Sequence, residues 1–265
     1  MFAAVQGRKI WYEDSGEGFP VVLIHGYLES SGVWNGFAER LSREFRIIAP
    51  DLPGHGRSDV YSETHTMELM SGIVRDLLDR LGIKKAFVAG HSMGGYVTLA
   101  LLDLHPGYLS GYCLFHSHPF ADPPETVEKR KQDISLVLSG KKDKMVPDTI
   151  ERMFAPASLD KLKPDVKKSK SIAAGVPGNG IIAVLNGMIK RPSRLKLMEN
   201  GIKSCLWILG SYDNFIPCED IQKRVHLPSN AKVVVLKKSG HMGFIEEQEH
   251  SSEILASFIK NLDAG

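Results

Sequence analysis

The sequence predicts an α/β fold: a mostly parallel sheet of eight strands, flanked by helices, with an inserted helical cap. Short runs that are apolar on both faces alternate with segments of helical periodicity, and this alternation is typical of βαβ units. The first residues alternate in polarity, as an antiparallel edge hairpin does. A proline-rich stretch without strand character interrupts the series in the second half of the chain.

The elements follow in chain order. Residues 3–13 predict the hairpin, with Gly7-Arg8 as its turn. Six apolar runs predict buried strands at residues 21–24, 45–49, 86–89, 112–115, 205–209 and 232–236. Helical spacing predicts helices at residues 34–41, 67–81, 93–104 and 248–261.

Residues 118–189 are expected to form the helical cap, and residues 1–117 and 190–265 the core that carries it. The stretch between Ser117 and Lys190 holds seven prolines, with helical spacing at 127–138 and 148–154. Residues 121–200 contain 16 Lys plus Arg against 10 Asp plus Glu. A cationic cap could steer anionic substrates, but lysines on solvated helices also serve solubility, and we assign the excess to the solvated face.

Composition excludes several classes of protein. With 43% hydrophobic residues, 24% charged residues and a net charge of +2, the chain is an ordinary globular protein without the basic excess of a nucleic-acid binder. No stretch approaches the ~20 apolar residues that span a bilayer, and the first residues lack a signal-peptide pattern. Three scattered cysteines argue against a disulfide framework or a zinc site, so we expect a cytoplasmic protein. The sequence carries no indication of an oligomeric state.

The most informative motif is Gly90-His91-Ser92-Met93-Gly94-Gly95, directly between a predicted strand and a predicted helix. A Gly-x-Ser-x-Gly pattern in that setting is typical of a sharp turn that exposes the serine hydroxyl above the sheet. The helix that follows aims free N–H groups and the positive end of its dipole at the serine. The pattern predicts Ser92 as a nucleophile.

Five motifs together resemble the α/β-hydrolase superfamily, particularly its small, single-chain, esterase-like members. They are residues 22–27 (VLIHGY), 51–58 (DLPGHGRS), 90–95 (GHSMGG), 209–213 (LGSYD) and 239–243 (SGHMG). The resemblance covers nearly the whole chain outside the cap, and it implies the α/β-hydrolase fold. The second motif is expected to be a structural loop.

The resemblance implies a catalytic triad in the order serine, acid, histidine. His241 is the expected base because it follows the last predicted strand in a glycine-flanked loop. Asp213, 28 residues earlier in a Gly-x-x-Asp-x-x-x-Pro loop, is the expected acid. Some members place the acid after the preceding strand, where the nearest carboxylate is Asp122; Asp213 is the preferred assignment.

The same resemblance implies that the backbone N–H groups of Tyr27 and Met93 form the oxyanion hole. His25 and His91 lie in the motifs and are expected to hold loops around the substrate pocket. The cap contributes candidate pocket residues that could equally form its own core: Phe120, Phe154, Leu185 and Met188.

These residues predict a serine hydrolase that cleaves a small-molecule carboxylic ester through an acyl-enzyme, without metal or organic cofactor. Ser92 disfavours haloalkane dehalogenases and epoxide hydrolases, which use an aspartate nucleophile. Met242, after the base, disfavours hydroxynitrile lyases, which carry lysine there. Lactonases, thioesterases, amidases, carbon–carbon bond hydrolases and perhydrolases share the triad and stay open. A ligand-binding receptor with slow turnover and an inert scaffold stay open as well.

Overall fold

The computed structural model describes residues 1–263, and an eight-stranded sheet forms its centre. The strands are β1 (Phe2–Val5), β2 (Arg8–Ser15), β3 (Pro20–Ile24), β4 (Arg46–Pro50), β5 (Ala86–His91), β6 (Leu109–Phe115), β7 (Cys205–Gly210) and β8 (Ala231–Leu236). Their order across the sheet is β1-β2-β4-β3-β5-β6-β7-β8.

Among the described strands, the pairs β1–β2 and β2–β4 are antiparallel, and β3 to β8 run parallel to one another. The central strands are buried on both faces, as in β5, where all six residues are buried. This explains why their sequences are continuous apolar runs. The predicted mostly parallel sheet of eight strands, with its edge hairpin, is confirmed.

Helices cover the sheet. They are α1 (Asn35–Leu41), α2 (Met67–Arg80), α3 (Met93–Leu104), α4 (Pro124–Leu138), α5 (Lys142–Glu151), α6 (Pro156–Lys161), α7 (Lys163–Gly175), α8 (Gly178–Lys190), α9 (Leu195–Glu199), α10 (Cys218–Gln222), α11 (Gly243–Glu246) and α12 (Gln248–Asp263). Two 3₁₀ turns, Ser31–Trp34 and Pro106–Tyr108, complete the set of described helices. The start of α2 shows why these boundaries fall where they do, since the Thr66 hydroxyl accepts a hydrogen bond from Leu69 N–H at 3.1 Å.

Helices α4 to α8 lie between β6 and β7, and we call residues 124–190 the inserted segment. Prolines begin several of its helices rather than break them, since Pro124, Pro156 and Pro164 lie in first turns, where a missing N–H costs nothing. The helix predicted at 148–154 begins earlier, at Lys142, and contains Pro147. The division into core and cap stays a prediction.

No single helix within residues 1–263 is long and apolar enough to cross a membrane. Helices α7 and α8 reach that length and composition only when joined, and a 93° bend separates them.

The parallel strands end at one edge of the sheet, where α/β folds collect their functional loops. The turn after β5 and the loops after β3, β7 and β8 all lie at this edge, and the inserted segment lies above it, with α8 bonded to the loop before α2. The fold thus brings the sequence motifs together.

Candidate active site

Ser92 lies in the turn between β5 and α3, with a φ of 50° and a ψ of −116°. This left-handed φ costs a residue other than glycine on the order of 1–3 kcal/mol. Strand β6 and its end hold the turn: Ser92 N–H donates to Phe115 O at 2.9 Å, and the Ser117 hydroxyl donates to Ser92 O at 2.7 Å. The side chain of Ser92 remains partly exposed. The strained turn therefore presents the hydroxyl above the sheet.

Gly94 allows α3 to begin close to the end of β3. A Cβ on Gly94 would overlap the carbonyl oxygen of Ile24 and lie 2.7 Å from that of His25. Both contacts are with backbone, which cannot move aside cheaply. The second glycine of the motif is therefore required for the turn to meet the loop after β3.

His241 follows β8 and forms a hydrogen-bonded pair with Asp213, which follows β7. His241 Nδ1 lies 2.7 Å from Asp213 Oδ2. The other carboxylate oxygen, Oδ1, accepts hydrogen bonds from Phe215 N–H at 2.8 Å and Ile216 N–H at 2.9 Å. With its proton on Nδ1 toward the carboxylate, His241 keeps Nε2 free to accept another.

Charge within this pair shifts both pKa values. Burial lowers the pKa of His241, but the attraction of Asp213 and the hydrogen bond that His241 donates to it outweigh burial, so the pKa is raised above its usual 6.5. Burial alone would raise the pKa of Asp213, yet the charge and hydrogen bond of His241 and the contact with His116 hold that pKa well below its usual value. The pair thus consists of a stable carboxylate and a base that binds a proton more readily than a free imidazole.

His116, at the end of β6, contacts the same carboxylate. Its Nδ1 lies 3.3 Å from Asp213 Oδ2, although not aligned as a hydrogen bond. Its Nε2 accepts a hydrogen bond from Gly243 N–H at 3.2 Å, which places the ring proton on Nδ1, facing Asp213. Burial lowers the pKa of His116 to about 4, so the ring is neutral near pH 7 and steadies Asp213 without competing for the proton.

A buried pair, Glu29 and His91, links two loops of the site. Glu29 Oε2 accepts hydrogen bonds from Gly26 N–H at 2.6 Å and from His91 Nδ1 at 3.0 Å. His91 Nε2 lies 2.8 Å from the carbonyl oxygen of His241. The two ring nitrogens of His91 thus contact one oxygen on the loop after β3 and one on the loop after β8. Burial would raise the pKa of Glu29, but His91 and the other donors lower it, which favours the carboxylate form of Glu29.

Two backbone N–H groups near Ser92 are free to bind an anion. Within residues 1–263, neither Tyr27 N–H nor Met93 N–H donates to a protein acceptor. Met93 is the first residue of α3, where N–H groups have no helical partner. Tyr27 follows Gly26, which Glu29 holds in place. These are the two groups expected from the sequence to stabilise an oxyanion.

Ser92 and His241 line one cavity of about 440 Å³ between the sheet edge and the inserted segment. Residues outside the inserted segment also contribute to the lining: Tyr27, Tyr96, His118, Asn214, Phe215 and Ile216. From the inserted segment and the residues before it come Asp122, Arg130, Asp133, Met145, Met153 and Met188. A small molecule of this size would lie in contact with both the serine and the imidazole.

Of the six pocket residues predicted from sequence, Met188 alone lines this cavity as the described residues form it. Phe154 and Leu185 are 1% and 0% exposed and belong to the apolar core. Phe120 lines a separate, small cavity beside α3 and stacks under the guanidinium of Arg224. The aromatic and leucine side chains predicted for the pocket are thus buried in packing, and methionines together with polar side chains of the inserted segment line the cavity instead.

His25 and His91 also lie outside the cavity lining, and both are fully buried. His25 Nδ1 donates to Gly26 O at 2.8 Å, and its Nε2 accepts from Leu52 N–H at 2.9 Å. Both histidines therefore hold loops, as expected, and neither borders the pocket.

Sequence reasoning missed Tyr96, His118 and Arg130 in the cavity wall. Tyr96 could have been found, because it lies one helical turn after Ser92 and so faces the same side of α3. His118 follows the end of β6, at the edge where sites gather. Arg130 could not be told from the other basic residues of this stretch, which the sequence assigns to the solvated surface.

Two further expectations concern carboxylates. Asp122, the alternative acid, is bound by Arg130 and Arg191 at 2.6 and 2.8 Å, and it makes no contact with His241 among the described residues.

Asp51, in the DLPGHGRS loop, accepts hydrogen bonds from Ser31 N–H and Arg57 N–H at 2.6 and 2.8 Å. That loop is structural, as expected.

The side chains of His116, Asp213 and His241 are also the kind that bind metals, and their ligand atoms lie within 4.8 Å of one another. The Asp213 oxygens, however, accept hydrogen bonds from His241 Nδ1 and two backbone N–H groups. The arrangement is therefore suited to moving a proton.

Comparison with known proteins agrees with this geometry. The chain is 30% identical over 264 residues to the dihydrolipoyllysine-residue acetyltransferase component of an acetoin cleaving system from Pseudomonas putida, covering 97% of this chain and 68% of that protein. It is 27% identical over 257 residues to a pimeloyl-[acyl-carrier protein] methyl ester esterase from Vibrio cholerae, covering 94% and 97%. A thermophilic esterase from Thermogutta terrifontis, solved with malate bound, superposes with a TM-score of 0.93 at 26% identity, covering 99% and 98%.

The family model described as alpha/beta hydrolase fold matches residues 20–248. That range contains strands β3 to β8, without the edge hairpin of β1 and β2, and it includes Ser92, Asp213 and His241. The chain belongs to the α/β-hydrolase fold family.

Proposed function

We propose that the chain is a serine hydrolase that cleaves carboxylic esters of small molecules, with Ser92, His241 and Asp213 as its triad. One observation carries the proposal: a partly exposed serine on a strained turn and a histidine bound to a buried carboxylate line the same cavity. Relatives named as esterases, from Vibrio cholerae and Thermogutta terrifontis, support ester bonds as the target.

In this mechanism, Nε2 of His241 takes the proton of Ser92 as its hydroxyl attacks the ester carbonyl. Asp213 fixes the ring tautomer and stabilises the imidazolium that forms. The N–H groups of Tyr27 and Met93 bind the oxyanion, and each such donor is worth ~10²–10³ in rate. The alcohol leaves with the proton from His241, and water then releases the acid by the same steps.

Ser92 Oγ makes no hydrogen bond to His241 among the described residues. Catalytic hydrogen bonds are often loose without substrate and tighten in the complex. Substrate bound in the cavity would bring the hydroxyl and Nε2 into contact.

The inserted segment serves as a cap in this proposal, with residues 118–189 covering a core of 1–117 and 190–265. Met153 and Met188 from the segment line the cavity opposite Ser92, and Met153 O accepts a hydrogen bond from His241 N–H at 2.6 Å. Cap position and base position are therefore linked. A cytoplasmic location stays a prediction.

Turnover of p-nitrophenyl acetate and butyrate tests the proposal. The wild type should release p-nitrophenol steadily over many turnovers, while Ser92→Ala and His241→Ala should lose nearly all activity and keep their circular dichroism spectra. Ser139→Ala, on an exposed position, is the matched control and should retain full activity. A single burst of product would instead indicate a receptor with slow turnover. Absence of fluorophosphonate labelling on Ser92 would indicate an inert site.

A further inference from the structure

The cavity beside Ser92 holds a buried positive charge. Arg130 Nε and Nη2 donate to the two oxygens of Asp122 at 2.6 and 3.2 Å, and Arg191 Nη1 lies 2.8 Å from Oδ1 of the same carboxylate. The side chain of Arg130 is 16% exposed, and those of Asp122 and Arg191 are each 2% exposed. Two guanidinium groups share one carboxylate here, so the cluster carries one positive charge in excess.

Donor groups in this cluster have no protein partner. Arg191 Nε and Nη2 are buried without a hydrogen bond within residues 1–263; Arg191 lies behind the cavity lining, with its guanidinium over the Tyr96 ring, 3.8 Å from the ring centroid. Arg130 lines the cavity, and its Nη1 donates to no acceptor in the described part of the chain. A buried cation with unmet donors is unfavourable unless an anion completes it.

Two phenol groups extend the donor set. The hydroxyl of Tyr27 is buried, faces no protein partner within the described residues and belongs to a cavity-lining side chain. The hydroxyl of Tyr96 lies 3.2 Å from His118 Nε2. His118 Nδ1 accepts from Phe120 N–H at 3.2 Å, so its proton is on Nε2 and Tyr96 is the acceptor. The Tyr96 proton is then free to point into the cavity.

The remaining charges do not cancel the excess. Lys129, Asp148 and Arg152 line the mouth of the cavity and are exposed, so water screens them. Asp133 is half-buried and forms no ion pair among the described residues. Burial raises the pKa of Asp133, while the charges of Lys129 and Arg130 act to lower it. Even with Asp133 counted as ionised, the cavity lining and Arg191 together hold four cations against three carboxylates.

From this arrangement we infer that the ester substrate carries a carboxylate, bound by Arg130 with the hydroxyls of Tyr27 and Tyr96. The inference rests on the proposed esterase function and narrows its substrate class to anionic esters. The carboxylate can belong to the acyl part, as in a monoester of a dicarboxylic acid, or to the alcohol part, as in an acylated hydroxy acid. Both sources present the same group to the same donors.

Matched esters test the inference. One series holds monomethyl succinate, glutarate and adipate, and a second holds acetoxyacetate and 3-acetoxypropanoate; methyl butyrate and ethyl acetate are the neutral references. Acid release in a pH-stat gives kcat/KM. The wild type should prefer one series over its neutral reference by at least about 10-fold, as one charge-assisted hydrogen bond allows. The preferred series identifies the part that carries the carboxylate.

Variants locate the preference. Arg130→Gln should lower the ratio of kcat/KM for anionic over neutral ester by about 10-fold or more, mainly through KM. Lys131→Gln removes the same charge from the same helix at an exposed position outside the lining and should leave the ratio unchanged. Should Arg130→Gln not fold, Tyr27→Phe serves instead, because its hydroxyl has no protein partner to leave unpaired; the ratio should fall about 3-fold or more.

The outcomes separate this inference from the proposed function. Equal kcat/KM for anionic and neutral esters in the wild type overturns the inference and leaves the esterase intact. So does a preference that survives both Arg130→Gln and Tyr27→Phe. If no ester turns over, the proposed function fails, and calorimetry with glutarate still decides on the site: binding weakened by Arg130→Gln supports it, and no binding overturns it.

Discussion

At the residue scale, the protonation of His241 sets how activity depends on pH. A base must be neutral to take the serine proton, and Asp213 raises the pKa of His241 above 6.5. Activity is therefore lost as pH falls through that raised value. We expect kcat/KM for a neutral ester to rise with pH, with its midpoint above 6.5.

Replacing the acid tests the same pair. Asp213→Asn should reduce kcat by roughly 10⁴, because the amide no longer holds the imidazole in the required tautomer. Without this carboxylate, only the charges of Glu29 and Glu246 oppose the effect of burial on His241, so an NMR titration of its ring should show a lower pKa than in the wild type. Asp213→Asn with undiminished kcat would mean that another group orients the base.

Glu29 acts through His91, which holds the carbonyl group of His241, and through Gly26, which precedes Tyr27. Glu29→Gln replaces the carboxylate that contacts His91 Nδ1 and Gly26 N–H with a neutral amide. We expect kcat to fall about 10- to 100-fold with little change in KM, because small displacements of catalytic groups have costs of that size. Glu39→Gln, at an exposed position on α1, is the control. A change in thermal stability without a change in kcat would show that the pair is merely structural.

At the scale of elements, α8 docks on the core through a glycine. A Cβ on Gly187 would overlap the carbonyl oxygen of His65 and lie 3.0 Å from Thr66 N, at the start of α2. His65 N–H also donates to Ala183 O at 2.8 Å. The inserted segment is thus fixed to the core where α2 begins, one residue before the cavity residue Met188.

Substitution at this contact should loosen the segment. Gly187→Ala should lower the free energy of unfolding by about 1–3 kcal/mol, the usual cost of overpacking, and should raise KM because Met188 moves with the helix. Gly175→Ala places the same methyl group where no atom lies within 4 Å, and both quantities should stay close to wild type. Urea denaturation and ester kinetics measure the two effects. Equal behaviour of the two variants would contradict this account of the docking.

Elements differ in how far their sequence predicts them. Strand β5 and the turn at Ser92 could be predicted because a strand buried on both faces is a continuous apolar run, and a nucleophile turn needs glycine at fixed positions. The lining of the cavity could not be predicted, because Leu185 on α8 and Phe154 between α5 and α6 are apolar residues whose sequence does not show whether they face the cavity or the core. In the sequence, Arg130 looks like one of the basic residues on a solvent-exposed helix face. Only its contact with Asp122 in the structure distinguishes it from them.

For the whole molecule, buried neutral histidines set the response to acid. Burial lowers the pKa of His55 and His118 to about 3 and that of His65 and His116 to about 4. In the unfolded chain each would have a pKa near 6.5. Between pH 6.5 and 4 the unfolded state therefore binds more protons, and stability falls as pH falls. His241 has the opposite sign, since its raised pKa adds stability below pH 6.5 that is lost at higher pH.

The pKa values of His25 and His105 are lowered by burial as well, so six histidines with a lowered pKa against one with a raised pKa, His241, predict an acid-labile protein. Each neutral histidine can contribute up to about 1.4 kcal/mol per pH unit, so we expect the free energy of unfolding at pH 4.5 to lie at least about 2 kcal/mol below that at pH 7. Urea titrations followed by circular dichroism at pH 7, 5.5 and 4.5 measure it.

One substitution isolates the cause. His65 Nε2 accepts hydrogen bonds from Tyr61 N–H and Ser62 N–H at 3.1 and 3.3 Å, and the side-chain oxygen of glutamine can accept them without titrating. His65→Gln should therefore reduce the loss of stability between pH 7 and 4.5 by about 1–2 kcal/mol. His226→Gln removes an exposed histidine and should leave the pH dependence as it is. A slope in His65→Gln equal to that of the wild type would show that His65 does not contribute to the loss of stability, since carboxylates such as Asp213 and Glu29, whose pKa values are lowered, act only at lower pH and cannot replace its contribution.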